Sequence, residues 1–306
     1  MTNLSVFPRC CANMASIAAT QTAFRSRRAI ICCWLVPVLT AAIVFPVSGA
    51  DESPQTSVSS PWNTVKRPVS PDIKHQSFAS RVVNAEVGYN VWLPPGYDGG
   101  SARYPVLYFL PGNGGNEYDG TSPVLQRVRA AVKKKTLPQV ICVFCNPGNG
   151  TFRDNRVPGV LGETMFITEF VPMIDREFRT VASRNGRAVT GFSMGGGGTL
   201  RFVLGHPQMF AAGVSWGCPR LKEEEAAMSR LGQVKEAGTA VMIVFGTKES
   251  DKSAGVAEGF VKTLSSHGVS CLLKRPEVPH NLELYLNTSW DDVAMFLNAR
   301  LKPSLQ

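Results

Sequence analysis

One stretch, Gly191-Phe192-Ser193-Met194-Gly195, is the basis for predicting the fold of this 306-residue chain. It follows a strand-like run, residues 187–190, and opens onto a helix-like segment that ends at Leu204. A serine on a sharp turn between a strand and a helix exposes its hydroxyl at the sheet edge, with the helix N-terminus behind it. Glycines flank such a turn because a side chain would collide with the neighbouring elements. This context predicts that Ser193 is a nucleophile rather than an incidental serine in a glycine turn.

The composition is that of a globular protein, but the first fifty residues differ from the rest. Overall, 44% of the residues are hydrophobic and 18% are charged. Residues 1–50 hold four arginines, no acidic residue and an apolar run from Ala29 to Val47, followed by small residues up to Ala50. This pattern predicts a signal peptide and export to the periplasm or the outside of the cell. An uncleaved membrane anchor and a translation start at Met14 are the alternatives.

Removal of residues 1–50 lowers the net charge from +9 to +5, because all four charges of that segment are positive. The remaining basic residues are scattered, so the sequence predicts no nucleic-acid partner. After cleavage we also expect no stable membrane partner. Residues 51–72 are rich in Ser and Pro, which predicts a flexible linker, and residues 73–306 are predicted to form one catalytic domain.

Within that domain, strand-like and helix-like segments alternate along the chain. Near-continuous apolar strands separated by helices indicate a mostly parallel sheet that is covered on both faces. The first two runs are joined by a short turn, which predicts an antiparallel hairpin at the sheet edge. We therefore expect an α/β fold, a three-layer α/β/α sandwich with eight strands, and a last helix capped by Ser289. The predicted strands are residues 78–83, 88–93, 104–110, 139–145, 187–192, 211–216, 240–245 and 270–275.

The cysteines give little indication of a special site. Cys142 and Cys145 have the spacing of a redox or zinc pair, but neither a second such pair nor a histidine pair accompanies them. The sequence therefore predicts no metal and no cofactor. One disulfide stays open as an alternative, with its pairing undetermined.

A serine nucleophile needs a base, and the histidines after residue 50 differ in their suitability. His75 precedes the first predicted strand, and His206 and His267 end helices. His280 lies in a loop between the last strand and the last helix, at the sheet edge expected to hold Ser193. We therefore expect His280 to be the base.

The base needs a carboxylate to orient it, and the developing oxyanion needs donors. Glu249 and Asp251, in the loop after the strand at 240–245, are both candidates for the acid. The N–H of Met194, at the start of the predicted helix, is one expected oxyanion donor. The N–H of Asn113, in the glycine-rich turn after the strand at 104–110, is the other.

Five stretches resemble one family: residues 89–97, 104–110, 114–117, 170–175 and 189–196. The chain resembles the putative-esterase (esterase D-like) family of α/β hydrolases and is nearest in pattern to feruloyl and acetyl-xylan esterases. The resemblance runs from about Val87 to Leu301 and implies the α/β-hydrolase fold. In feruloyl-esterase-like members the acid stands three residues after the glycine that ends the strand, which favours Glu249. The usual residue there is aspartate, so Asp251 stays an alternative.

The resemblance implies a serine esterase, a carboxylic ester hydrolase with a Ser-Glu/Asp-His triad that acts through an acyl-enzyme. The expected substrate is a small-molecule or polysaccharide ester from which acetyl or feruloyl groups are removed. Phe152, Arg153 and Asp154 are expected to contact the substrate from a loop. An acyltransferase of the same fold and a non-catalytic exported binding protein on a hydrolase scaffold are the alternatives.

Overall fold

Eight strands form a single mixed sheet in the computed structural model. The model describes residues 60–64, 70–148, 150–154, 162–221 and 229–302, without the side chains of residues 251–254. The strand order is β1-β2-β4-β3-β5-β6-β7-β8. The strands are β1 Ile73–Ser80, β2 Ala85–Trp92, β3 Val106–Leu110, β4 Ile141–Cys145, β5 Arg187–Phe192, β6 Ala212–Trp216, β7 Ala240–Val244 and β8 Ser270–Lys274.

The sheet is parallel from β4 to β8 and antiparallel at one edge. Strands β1 and β2 form a hairpin in which Ser80 pairs with Ala85, and β2 runs antiparallel to β4. Every residue of β3, β4, β6 and β7 is buried. This explains why these strands are nearly continuous apolar runs, since both of their faces are covered. The predicted hairpin and the mostly parallel eight-stranded sheet are confirmed.

Helices cover both faces of the sheet and create two separate hydrophobic cores. One core takes apolar residues from α1 and α7, and the other takes them from α2 to α6. The predicted three-layer sandwich is therefore confirmed. The helices are α1 Thr121–Lys133, α2 Gly162–Met165, α3 Val171–Glu177, α4 Met194–Gly205, α5 Leu231–Ala237, α6 Asp251–Ser266 and α7 Leu282–Asn298.

One helical segment is interrupted, and the last helix begins earlier than predicted. A π-helical turn, Phe166–Phe170, separates α2 from α3 just before Pro172, which has no N–H to donate within a regular helix. The predicted cap of the last helix is wrong, because α7 already begins at Leu282 and Ser289 is buried inside it. Asn281 caps this helix, and its Oδ1 accepts a hydrogen bond of 3.0 Å from the N–H of Leu284.

Residues 60–64, part of the predicted linker, contact the domain. The carbonyl of Trp62 accepts a hydrogen bond of 2.7 Å from the N–H of Gly88 in β2. The Trp62 ring is 7% exposed and covers Gly148, where an added Cβ would lie 2.4 Å from the ring. This segment therefore contributes to the core. The rest of the predicted linker, apart from residues 70–72, and the predicted signal peptide at 1–50 lie outside the described residues.

The first strand also begins earlier than predicted, at Ile73 instead of Phe78. His75 consequently lies within β1 and does not precede the first strand. Across the part of the chain that the structure describes, none of the helices combines the length and apolar character needed to span a bilayer.

The packing of Trp62 generates a first prediction. Replacement of Trp62 by Ala should lower the free energy of unfolding by about 3 kcal/mol, because it removes a large buried ring. Urea denaturation measures the loss. Leu272→Ala is the control, since Leu272 is 51% exposed and its truncation should change stability by no more than about 0.5 kcal/mol. Equal effects of the two substitutions would contradict the packing of residues 60–64 on the domain.

Candidate active site

Ser193 occupies a strained turn between β5 and α4. Its backbone angles are φ 55° and ψ −112°, a region that residues with a side chain rarely adopt. Two hydrogen bonds hold this conformation: the Ser193 N–H donates to the Trp216 carbonyl (2.7 Å), and the Ser193 carbonyl accepts from the N–H of Gly197 (3.1 Å). Strain of this kind costs about 1–3 kcal/mol and persists only when the surrounding structure enforces it.

The glycines beside Ser193 allow this turn because the neighbouring backbones touch them. A Cβ added to Gly195 would lie 2.1 Å from the carbonyl oxygen of Leu110, at the end of β3. A Cβ added to Gly191 would lie 2.3 Å from the carbonyl oxygen of Gly195. Both distances are far below van der Waals contact, so any other residue would push α4 away from the sheet. The N-terminus of α4 is thereby fixed against the end of β3.

His280 and Glu249 are joined by a hydrogen bond. His280 Nδ1 lies 3.0 Å from Glu249 Oε1, and the Glu249 side chain is 11% exposed against 42% for His280. With Nδ1 directed at a carboxylate, the neutral imidazole carries its proton there and leaves Nε2 as an acceptor. The carboxylate therefore holds the ring in the tautomer that a general base requires.

Tyr285, from the first turns of α7, fixes the position of Glu249. Its hydroxyl donates to Glu249 Oε1 and accepts a hydrogen bond of 2.7 Å from the N–H of Gly246. Burial raises the pKa of Tyr285 well above its usual value, and the hydrogen bond to Glu249 raises it further. The phenol thus stays protonated and remains a donor. Sequence reasoning missed this residue, because nothing in the last helix distinguishes a tyrosine that reaches the acid loop from one in the core.

His280 lies beside the serine turn. Its ring centroid is 4.6 Å from that of Phe192, the residue before Ser193. On its other side is Gly217, where an added Cβ would lie 2.8 Å from His280 Cε1. Gly217 follows Trp216, the residue whose carbonyl binds the N–H of Ser193. The structure thus brings Ser193, His280 and Glu249 together at the carboxyl ends of β5, β7 and β8.

The glycine-rich turn after β3 reaches the same point. A Cβ added to Gly112 would lie 3.7 Å from Ser193 Cβ, and a hydrogen bond of 3.0 Å from Gly115 N–H to the Gly112 carbonyl closes the turn. Asn113 and Met194 line the same cavity as Ser193. Because Met194 is the first residue of α4, its N–H belongs to the free donors of a helix N-terminus. Such donors suit a developing negative charge.

A buried carboxylate, Glu117, follows this turn and connects it to other parts of the domain. Its side chain has no exposed surface, and Oε1 accepts a hydrogen bond of 2.7 Å from the N–H of Thr64. His75 Nε2 lies 3.1 Å from the same oxygen, and Asn146 Nδ2 donates to Oε2 at 2.6 Å. The carbonyl of Glu117 accepts from Asn90 Nδ2 at 2.9 Å. Four distant parts of the chain are tied to the glycine-rich turn in this way.

The cavity in front of Ser193 has a volume of about 410 Å³ and includes one of the three predicted substrate contacts. Arg153 lines it. Phe152 instead is 2% exposed, and its ring packs edge-on against Phe202 with centroids 6.1 Å apart. Asp154 accepts a hydrogen bond of 3.0 Å from the N–H of Thr164 in α2 and is not part of the cavity lining. The alternative acid, Asp251, begins α6, and its side chain lies outside the described residues.

The remaining histidines and the cysteines have other surroundings. His206 Nε2 lies 2.9 Å from Glu163 Oε1, and His267 Nδ1 lies 2.9 Å from the carbonyl of Thr263. Burial raises the pKa of the thiols of Cys142 and Cys145 far above the usual value, so neither is a ready thiolate. Within the described ranges, no group of three or more His, Cys, Asp and Glu residues could hold a metal ion.

A comparison with models of protein families identifies the family of the chain. The family model described as "Putative esterase" matches residues 80–266, more than half of the sequence. The chain belongs to this family. The resemblance inferred from the motifs is therefore confirmed.

Two curated relatives match about half of the chain. An esterase of Mycobacterium tuberculosis is 33% identical over 153 residues, covering 49% of this chain and 33% of the relative. An endo-1,4-beta-xylanase/feruloyl esterase of Xylanibacter ruminicola is 31% identical over 158 residues, covering 48% of this chain and 21% of the relative. The matched region thus spans a third or less of the length of these relatives.

Solved structures show the same fold. A ferulic acid esterase aligns with a TM-score of 0.65 at 22% identity and covers 75% of this chain and 98% of its own. A mutant feruloyl esterase module from Clostridium thermocellum, complexed with sinapinate, aligns with a TM-score of 0.61 at 16% identity, covering 80% and 98%. At these identities the likeness concerns the fold, and the predicted α/β-hydrolase fold is confirmed.

The contacts of Tyr285 generate a second prediction. Tyr285→Phe should lower the free energy of unfolding at pH 7 by about 1–3 kcal/mol, because it leaves the buried N–H of Gly246 without an acceptor. The raised pKa of Tyr285 means that its contribution is complete below about pH 10, the unfolded value, and declines above it. Denaturation between pH 7 and 11.5 should therefore show the difference between wild type and variant narrowing above pH 10. A difference that does not change with pH would contradict this account.

Proposed function

We propose that the protein is a serine carboxylic-ester hydrolase that works through an acyl-enzyme. The observation that carries the proposal is the strained turn of Ser193 beside a His280 that hydrogen-bonds to Glu249 (3.0 Å). A serine hydroxyl becomes an effective nucleophile when a neighbouring base accepts its proton. The membership in the esterase family supports the reaction class.

In the first half-reaction, Ser193 Oγ attacks the ester carbonyl carbon while His280 Nε2 takes the hydroxyl proton. The carbonyl oxygen becomes an oxyanion, which accepts hydrogen bonds from the N–H groups of Met194 and Asn113. Each such donor contributes a factor of about 10²–10³ to the rate. Collapse of the tetrahedral intermediate breaks the bond to the alcohol oxygen, and His280 returns its proton to the departing alcohol.

In the second half-reaction, water attacks the acyl-enzyme and His280 accepts its proton. The bond between Ser193 Oγ and the acyl carbon then breaks while His280 returns its proton to Oγ, which releases the carboxylic acid and restores the serine. Glu249 stabilises the imidazolium in both halves. Tyr285 keeps the carboxylate in position by donating to the same oxygen that faces His280.

For the substrate we propose an acetyl or feruloyl ester of a carbohydrate, and for the site of action the outside of the cytoplasm. The relative from Xylanibacter ruminicola carries feruloyl esterase in its name, and the pattern of residues 1–50 is that of a signal peptide. Release of ferulate from methyl ferulate and of acetate from acetylated xylan tests the substrate. N-terminal sequencing of secreted protein tests export, with Asp51 expected as the first residue.

The nucleophile generates a third prediction. Ser193→Ala should abolish hydrolysis of 4-nitrophenyl acetate above background, with a loss of at least about 10³-fold in kcat. A fluorophosphonate probe should label the wild type and Ser266→Ala, which changes an exposed serine on α6, but not Ser193→Ala. Labelling that is absent from the wild type, or unaffected by Ser193→Ala, would favour a non-catalytic binding protein on this scaffold.

The acid generates a fourth prediction. Glu249→Gln keeps the size of the side chain but allows the wrong histidine tautomer, so kcat should fall by about 10²–10⁴. Asp251→Asn, at the first residue of α6, should retain kcat within about threefold of the wild type. Steady-state kinetics on 4-nitrophenyl acetate compares the two variants directly. A larger loss in Asp251→Asn would assign the acid to Asp251 instead.

A further inference from the structure

The tip of the glycine-rich turn after β3 is exposed to solvent. Asn113 and Gly114 are both exposed, and among the described residues no atom lies within 4 Å of a Cβ added to Gly114. Gly114 has a φ of 72°, which glycine adopts without steric cost. An exposed turn rich in glycine has many accessible conformations unless contacts beside it restrict the backbone.

The proposed mechanism nevertheless requires one group of this turn to be placed accurately. The N–H of Asn113 is the expected second donor to the developing oxyanion. Such a donor acts at about 2.7–3.1 Å from the oxyanion, and a misplacement of about 1 Å can lower a rate about 10²-fold. The turn therefore has to be held by residues beside it.

Glu117 is the first buried residue after the turn, and both of its carboxylate oxygens accept hydrogen bonds. Oε1 accepts from the N–H of Thr64 (2.7 Å) and lies 3.1 Å from His75 Nε2, whereas Oε2 accepts from Asn146 Nδ2 at 2.6 Å. Because an ionised carboxylate only accepts, Nε2 of His75 acts as a donor here. These donors come from distant segments, so they restrict Glu117 in several directions.

The direction of the hydrogen bond from Asn146 is determined at both ends. Asn146 Oδ1 accepts from the N–H of Gly148 (2.7 Å), so its amide nitrogen has to face Glu117. Gly148 and Asn113 line the same cavity, which places this loop opposite the turn. The packing is also close, since a Cβ added to Gly88 would lie 2.5 Å from Glu117 Oε1. The carboxylate therefore has one well-defined position.

We infer that Glu117 is a positioning residue for the esterase reaction: its hydrogen bonds hold the glycine-rich turn where the N–H of Asn113 meets the oxyanion. The inference rests on the proposed esterase function and adds a residue outside the triad. The side chain of Glu117 has no exposed surface, so it does not touch the substrate. Its loss should consequently lower kcat rather than raise KM, because the oxyanion forms only in the transition state.

Glu117→Gln tests this role with a side chain of the same shape. The introduced amide oxygen accepts from His75 as before, but the amide nitrogen faces Asn146 Nδ2, which is also a donor. On 4-nitrophenyl acetate, kcat should fall about ten- to hundredfold while KM stays within about twofold. Leu264→Ala is the control, since Leu264 is fully buried on α6. It should lower the urea midpoint but keep kcat within about twofold.

A reciprocal exchange should rescue the reaction. In the double variant Glu117→Gln/Asn146→Asp, the amide nitrogen at 117 donates to one carboxylate oxygen at 146. The other carboxylate oxygen accepts from the N–H of Gly148, and the amide oxygen accepts from the N–H of Thr64. All donors and acceptors are matched again, so kcat should return to within about threefold of the wild type.

His75 provides a milder test that keeps Glu117 in place, in case Glu117→Gln does not fold. His75→Leu removes one donor to the carboxylate and should lower kcat about three- to tenfold. His75→Gln supplies an amide N–H that can reach the position of Nε2, so kcat should stay within about twofold of the wild type. Steady-state kinetics on the same ester compares the two variants.

A transition-state analogue links the loss to the oxyanion. Phenethyl trifluoromethyl ketone forms a tetrahedral adduct when Ser193 Oγ bonds to its carbonyl carbon, His280 takes the hydroxyl proton and the carbonyl oxygen becomes an oxyanion. This oxyanion uses the same donors as the reaction. The inhibition constant should therefore rise in Glu117→Gln by about the factor by which kcat falls, and return in the double variant.

The outcomes separate this inference from the function on which it rests. If the wild type hydrolyses esters in a Ser193-dependent way and Glu117→Gln retains kcat, the positioning role is refuted while the esterase function stands. An equal loss of kcat in Leu264→Ala, no recovery in the double variant or an unchanged inhibition constant also refutes the role. Equal kcat in the two His75 variants does the same. If the wild type hydrolyses no ester, the esterase function is refuted and the role with it.

Discussion

The close contact between the start of α4 and the end of β3 is the constraint on which the rest of the site depends. Only glycine fits at positions 191 and 195, because the backbones approach to within about 2 Å of where a Cβ would stand. This contact fixes the helix N-terminus against the sheet and forces the intervening Ser193 into a positive φ. The same contact brings the glycine-rich turn after β3 within reach of the serine. The proposed nucleophile and the proposed oxyanion donors are thus positioned by one close backbone contact.

The strain at Ser193 persists because its neighbours leave the backbone no alternative. The Trp216 carbonyl and the N–H of Gly197 take the two backbone groups of Ser193, so relaxation would break two hydrogen bonds. On the other side, the ring of His280 is held between Phe192 and Gly217. Ring packing therefore holds the site together in addition to its hydrogen bonds.

The sequence predicted the mostly parallel sheet well and gave a reasoned choice of histidine, for physical reasons. Buried parallel strands are continuous apolar runs, and the chain order of serine, acid and histidine leaves His280 as the one histidine in a suitable loop. Local patterns failed where a distant contact decides the structure. Residues 60–64 have the composition of a linker, yet Gly88, which lies in β2 beyond its pairing with β4, and Gly148 provide a place for Trp62.

Other features could not be predicted from the sequence either, because contacts formed in the fold decide them. Ser289 matches a capping pattern, but Asn281 caps the helix a full two turns earlier. The burial of Glu117 could not be predicted, because its hydrogen-bond partners lie far apart in the sequence. They come from residues 60–64, β1 and the end of β4. Phe152 and Arg153 are neighbours in sequence, and only the fold decides that one enters the core and the other faces the cavity.

The hydrogen bonds from Tyr285 to the loop of Glu249 have a consequence for the order in which the site forms during synthesis on the ribosome. The turn that strains Ser193 needs only strands made before residue 217, whereas the imidazole and the phenol that clamps the acid come more than sixty residues later in synthesis. Under the proposed mechanism, a nascent chain therefore carries its nucleophile before the proposed base has been synthesised. The proposed chemistry then depends on completion of the C-terminal part of the fold.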